Sequence, residues 1–335
     1  VKLPAALSVL AGLAIIAALV LANGAGGIVT GVTSAGWGIV AVIAMHLPQV
    51  FCSGMAWRAM VPSFKRPTRR SFFRLRLIRE GVNALLPVAQ IGGHFVGARL
   101  LASAGIPLSA AGAAVAVDLT MEMLSQVVFT LLGLALLATR PGATGLSPLT
   151  TGGAVAALAM LAGLFVLAQR FGLFRVLEGG FLRLARRRNW KGLEDVAGLH
   201  LAVVALYRSP RRLLAGGFCH LASWLLGGLE VMIGLRVLGV AAGLRDSLII
   251  ESLGQAFRAV GFMVPGGLGV QEGGVLLICG LLGIGPQHAI ELSLLRRIRE
   301  LALGVPGLLA WYGIERPFPA APPAAPDEIF RETAW

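Results

Sequence analysis

The chain has 335 residues, 56% of them hydrophobic and 13% charged, with a mean hydropathy of +0.81 and a formal net charge of +13. A soluble domain carries about 25% charged residues, so the composition excludes a water-soluble enzyme and points to an integral membrane protein. The positive charge is concentrated: seven Lys and Arg fall in 65–79 and ten in 170–212. Both stretches join apolar segments. This marks them as cytoplasmic loops under the positive-inside rule rather than nucleic-acid modules, with attraction to anionic headgroups a secondary effect.

In chain order, windows with the ~20 apolar residues that cross a bilayer lie at 5–22, 37–60, 112–138, 152–168, 213–235 and 289–312. The first has one Lys2 and no clean small-residue cleavage site, so it reads as a retained anchor rather than a signal peptide. With both basic loops inside, the first helix runs outward, the uncharged loop 23–36 is exterior, and the second helix returns. A shorter apolar piece at 75–104 enters and leaves on one face. The next two spans go out and back to the loop 170–212, 213–235 runs outward, a second broken piece dips in, and 289–312 ends inside. The tail 317–335 is Pro/Ala-rich and reads as disordered. The expected architecture is all-α and polytopic: about six spanning helices plus two re-entrant helical hairpins forming an inverted repeat. It is one transmembrane domain over 1–316, with repeat one at 37–138 and repeat two at 213–312.

The repeat has a sequence trace. Pro87, Gly105 and Glu122 are spaced by 18 and 17 residues, and Pro265, Gly283 and Glu300 repeat both spacings. At this offset of 178, Arg58 falls on Arg236 and Asp118 on Arg296, but only seven of 52 positions in 83–134 are identical. Topology therefore carries the repeat more than identity does.

Around Pro87, two short arms of about 12 residues flank Gly92 and Gly93. Such breaks persist at membrane depth only inside protein or along a wet cavity, although a kinked structural helix reads the same way. Pro265, Gly266, Gly267 and Gly269 lead into Glu272. No strand or lysine accompanies these glycines, so a nucleotide loop is excluded. A helix-packing face remains the structural alternative. Glu80 and Arg258 precede the breaks, while His94 and Arg99 follow the first. In 293–301, Arg296, Arg299 and Glu300 share a helical face, as Asp118 and Glu122 do. A charge at the membrane centre costs ~3 kcal/mol or more, so the expectation is one cluster joining Asp118 and Glu122 to Arg296 and Arg299, either functional or a structural lock. Cys52, Cys219 and Cys279 have neither disulfide nor metal spacing. No metal, cofactor or catalytic group is expected.

The segments REGVNALLPVAQIGG, VDLTMEMLSQ, VPGGLGVQEG and SLLRRIRELALGVPGLLAW resemble the flippase-like transmembrane domain of lysylphosphatidylglycerol synthases. They are most similar to the members associated with hopanoid biosynthesis. The resemblance implies a polytopic inner-membrane protein that handles amphipathic lipids, with both termini cytoplasmic. It implies substrate contacts at Asn83, Pro87, Pro265, Gly266, Gly267, Gly269, Glu272 and Arg299, with Glu300 in the charge cluster. His94 stands where many relatives have an acid. The residues after Trp311 are too few for a soluble aminoacyl-transferase domain, so lysyl transfer is not expected. The leading expectation is a translocator of a polar-headed or anionic lipid, hopanoid-related by likeness. The competing readings are a membrane-embedded lipid-modifying enzyme and a non-catalytic scaffold docking biosynthetic enzymes through 170–212. Partners are then membrane lipids, biosynthetic enzymes and further copies of the chain.

Overall fold

The computed structural model describes residues 35–62, 66–86, 92–140, 198–260 and 269–314, with five single positions between 21 and 33. Most of the window 5–22, the window 152–168, most of the basic loop 170–212, Pro87, Pro265, Gly266, Gly267 and the tail lie outside these residues. Among the described residues every regular element is an α-helix. The nine are α1 (Gly38–Met60), α2 (Arg69–Leu85), α3 (Gly92–Ser103), α4 (Leu108–Ala138), α5 (Leu199–Tyr207), α6 (Pro210–Val237), α7 (Leu244–Val260), α8 (Val270–Leu281) and α9 (Pro286–Ile314).

Proline sets several of these boundaries. Val61 and Leu86 are extended, at ψ 140° and 144°, because a following proline disfavours the helical region. Each therefore ends its helix. Pro210 opens α6 at the first turn, where its missing N–H costs nothing. Thr68 starts α2 by accepting a hydrogen bond from the Ser71 amide at 3.2 Å.

Helix lengths repeat. Setting the 9-residue α5 aside, the series 23, 17, 12, 31 is followed by 28, 17, 12, 29. The 12-residue helices end alike. Gly105 and Gly283 take φ of +90° and +77°, which a side chain would resist. Ile106 N–H then reaches the Leu101 carbonyl and Ile284 N–H that of Cys279, at 3.3 and 2.9 Å. This is the same left-handed cap at an offset of 178. The arms before the breaks, at 17 residues, are longer than the 12 expected.

α2 packs on α3 and α7 on α8, so each break closes a helical hairpin. The most extensive packing is between α1 and α6. Across the two series, α2 lies on α9 and α7 lies on α4, so each 17-residue helix is held by the other series' last helix. Glycines make these crossings close. A Cβ on Gly81 would sit 2.6 Å from the Gly304 carbonyl oxygen, one on Gly307 2.6 Å from that of Leu77, and one on Gly133 1.8 Å from Ser252 Oγ. With lipid outside, such small-residue contacts are the main source of helix association. Apolar side chains form two cores, one around Trp57, Phe72 and Leu101, the other around Leu235, Ile249 and Ile278.

Among the described residues three helices, α1, α4 and α6, are long and apolar enough to cross a membrane. The expected span 289–312 lies within α9, whose 29 residues reach ~43 Å, but Glu291, Arg296, Arg297, Arg299 and Glu300 keep it from being an apolar span. Filling the α2–α9 crossing should be costly. Gly307→Val is expected to destabilise by ~1–3 kcal/mol through overpacking. Gly217→Ala, with nothing within 4 Å of its added carbon, should shift stability by no more than about 0.5 kcal/mol. Thermal unfolding in detergent micelles measures both.

Candidate functional site

Of the charges singled out in the sequence, Asp118, Glu272, Arg296 and Arg299 are buried and Glu80, Glu122, Arg258 and Glu300 partly so, and α2 collects the first group. Arg79, 2% exposed, forks between Asp118 on α4 (Nη1 to Oδ2, 2.6 Å) and Glu122 one turn on (Nη2 to Oε2, 2.9 Å). Its Nη2 also donates to His94 Nε2 on α3 at 2.8 Å, so that ring nitrogen is an acceptor. The same guanidinium lies 5.5 Å from the Trp57 ring centre. Arg76 holds Glu122 at 2.7 Å and Glu80 at 2.9 Å. Asp118 receives a further contact from His220 Nε2 on α6 at 2.9 Å.

A second group gathers on α9. Arg299 pairs with Glu230 of α6 and lies 3.7 Å from Glu300. Glu300 is held by Arg258 of α7 at 3.1 Å and by Arg297 at 2.7 Å. Arg297 also binds Glu272 Oε1 through Nε and Nη2 at 2.8 and 2.6 Å. Arg296 pairs with Glu251 of α7.

His46 of α1 joins the two groups. Its Nδ1 is 2.8 Å from Glu230 and its Nε2 is 3.5 Å from Glu80. Gln49, one turn on, donates to the same Glu230 oxygen at 2.6 Å. The result is a continuous chain of ion pairs joined by histidine contacts: from Asp118 and Glu122 through Arg79, Arg76, Glu80 and His46 to Glu230, Arg299, Glu300, Arg297 and Glu272. Counting the Arg296–Glu251 pair and Arg258, seven carboxylates meet six guanidinium groups.

Both hairpins are tied into this chain, by different means. At the first break, Asn83 Oδ1 accepts the Gly93 amide at 2.8 Å, linking the end of α2 to the start of α3. A Cβ on Gly93 would clash with Arg79 O at 2.3 Å, so glycine lets the arms touch. At the second, Gly269 takes φ +82° and its amide donates to Glu272 Oε2 at 2.7 Å. Glu272 thus caps α8 with one oxygen while the other anchors it to α9.

The structure corrects the expected pairing. Asp118 and Glu122 do not meet Arg296 and Arg299, because α4 and α9 share no extensive contact. The α4 acids are neutralised by α2, and the α9 arginines by α6 and α7. His94 and Glu80 join the network, whereas Arg99 is exposed on α3. The sequence reading missed His46, His220, Glu230 and Glu251 as partners, although lone ionisable residues in apolar helices are default site candidates. It counted Arg76 and Arg79 in the basic stretch 65–79, although both also fall in the re-entrant piece 75–104, and gave them no partner. The ligating atoms of Asp118, Glu122 and His220 lie within 4.8 Å of one another, close enough for a cation. Arg76 and Arg79 already supply the positive charge there.

The family described as the lysylphosphatidylglycerol synthase TM region matches residues 9–307. No curated protein and no solved structure matches the chain.

The pairing can be read by double-mutant cycles on unfolding in detergent. Arg79→Gln with Asp118→Asn should show a coupling of at least about 1 kcal/mol, as for residues in contact, whereas Arg296→Gln with Asp118→Asn should be additive within about 0.5 kcal/mol. Asp118→Asn alone should cost ~3–5 kcal/mol by leaving Arg79 short of a buried partner.

Proposed function

We propose that this chain, which belongs to the lysylphosphatidylglycerol synthase transmembrane family, is a translocator that moves a polar-headed or anionic lipid across the bacterial inner membrane. The observation that carries this reading is the continuous, largely buried chain of ion pairs and histidine contacts that joins the two hairpins. A buried pair adds little net stability compared with apolar packing, and ionisable residues inside a membrane protein mark substrate or ion paths by default. Broken helices paired at corresponding places in two halves are also the arrangement found at transporter binding sites.

In this reading the two helix series are inverted copies, with the basic loops and both termini cytoplasmic. The substrate enters between them and its headgroup exchanges with the pairs. A phosphate can replace a carboxylate on a guanidinium and leave no charge bare, since both accept the same fork of N–H donors. Three donors suit such an acceptor: Nε and Nη1 of Arg296 and Nε of Arg299 are buried with no hydrogen-bond partner among the described residues. Arg296 and Arg299 therefore bind the headgroup. Asn83, Gly269 and Glu272 shape the breaks, together with Pro87, Pro265, Gly266 and Gly267. Asp118, Glu122 and Glu300 hold the charge balance while the pairs exchange. The hopanoid-related lipids suggested by likeness are one headgroup class to supply. Proteins of lipid biosynthesis are partners through the basic loop.

The test is lipid scrambling in proteoliposomes with a fluorescent phosphatidylglycerol quenched from outside. Arg299→Ala and Glu300→Gln should each slow protein-dependent movement at least about tenfold, the effect of ~1.4 kcal/mol on the barrier. Unchanged rates in both variants would reject the translocator, and formation of a modified lipid from a supplied donor would indicate an enzyme instead.

A further inference from the structure

His46 is the link between the two halves of the network, and it can hold both of its contacts only in one protonation state. Its two ring nitrogens face carboxylates from different helix series: Nδ1 faces Glu230 of α6 at 2.8 Å, and Nε2 faces Glu80 of α2 at 3.5 Å. A neutral imidazole has one N–H and presents a lone pair at its other nitrogen. With one N–H it would donate to one carboxylate and repel the other, whereas the imidazolium donates to both. Gln49 cannot substitute, because its amide already donates to Glu230.

The charge count points the same way. Among the described residues of the network, carboxylates outnumber guanidinium groups by one, and an uncompensated charge in a low-dielectric interior is costly. Histidine is the side chain whose ordinary titration range lies near neutrality, and the network has three. His94 accepts from Arg79 through Nε2, so it does not carry the extra proton. His220 meets Asp118 through Nε2, with Glu122 close by. Among the described histidines of the network, His46 is the one with a carboxylate of a different helix series at each ring nitrogen. Around it, α2 presents Glu80, α6 presents Glu230 and α9 presents Arg299, while Asp118 and Glu122 of α4 are held by Arg79 and Arg76.

We propose that His46 is a proton-binding site that couples lipid movement to a proton: the imidazolium clasps Glu80 and Glu230 while the two series are closed. When the series part, one carboxylate withdraws, one N–H bond of the imidazolium breaks, and the proton passes to water in the opened cavity, leaving neutral imidazole. Reclosing requires a proton to return. The proton site itself stands on the geometry, and its coupling to lipid rests on the translocator reading.

Two measurements on the full chain keep these apart. The first is nitrogen NMR of histidine-labelled protein in lipid nanodiscs, with the His46 signal identified by its loss in His46→Gln. At pH 7 it should report an imidazolium that becomes a neutral ring in Glu80→Gln. A neutral ring in the unmodified protein overturns the proposal, whatever the lipid does. The second imposes about two pH units across proteoliposomes carrying a trace of labelled phosphatidylglycerol. One proton per lipid should redistribute the label between leaflets by up to about a hundredfold, and any movement left in His46→Gln should ignore the gradient. Lipid movement that is equal with and without a gradient in the unmodified protein overturns the coupling while leaving the translocator intact. Absence of movement under every condition fails the translocator, and the imidazolium signal then decides the proton site alone.

Discussion

A guanidinium group away from water must keep an anionic partner, and the interior of this protein is arranged around that requirement. Arg76, Arg79, Arg296, Arg297 and Arg299 lie on buried or partly buried faces of α2 and α9, and each has a carboxylate within reach. Separating such a pair without replacing the lost partner costs several kcal/mol. The helices that carry them can therefore move apart only if another charged group takes the vacated place. In the proposed function a lipid headgroup is that group, and the network then serves both to hold the helices together and to receive the substrate.

The scaffold concentrates these charges through the two broken hairpins. A 17-residue helix stops at a break, and a 12-residue helix returns beside it to end in a left-handed glycine cap. Because the arms are short, the polar residues near each break, such as Asn83 and Glu272, come to lie at the level of the ion pairs. Close glycine crossings at Gly81, Gly304 and Gly307 bring α2 against α9, and Gly133 does the same for α4 and α7. Each hairpin is thereby packed against the opposite series, and the halves are joined by packing as well as charge.

Much of this frame was legible in the sequence because its signals are local. Proline directly after Leu86 stops a helix wherever it occurs, and the spacing of Gly105 and Gly283 returned as two matching caps. The apolar windows 37–60, 112–138 and 213–235 became α1, α4 and α6. The pairing was not legible, since it depends on which helices become neighbours. Asp118 and Arg296 share a repeat position, and the cost of unpaired charges inside a membrane suggested that they meet in one cluster. In the fold, equivalent positions lie apart, and each charge is met by a different helix. Arg79 shows the same limit: its place in a run of seven basic residues suggested a membrane-surface charge, yet it is 2% exposed beside Trp57. His46, Glu230 and His220 were visible as lone ionisable residues in apolar helices, but nothing local named their partners.

The central claim is that the two helix series must part for lipid to move, and a reversible cross-link tests it most directly. In a chain with Cys52, Cys219 and Cys279 replaced by alanine, Gly133→Cys and Ser252→Cys place thiols on facing positions of α4 and α7. An ideal Cβ at Gly133 lies 2.8 Å from that of Ser252, so a disulfide needs a shift of about 1 Å. The account expects lipid movement at background in the oxidised protein and its return on reduction. Equal rates in the oxidised and reduced protein, with the cross-link verified as complete, would contradict it.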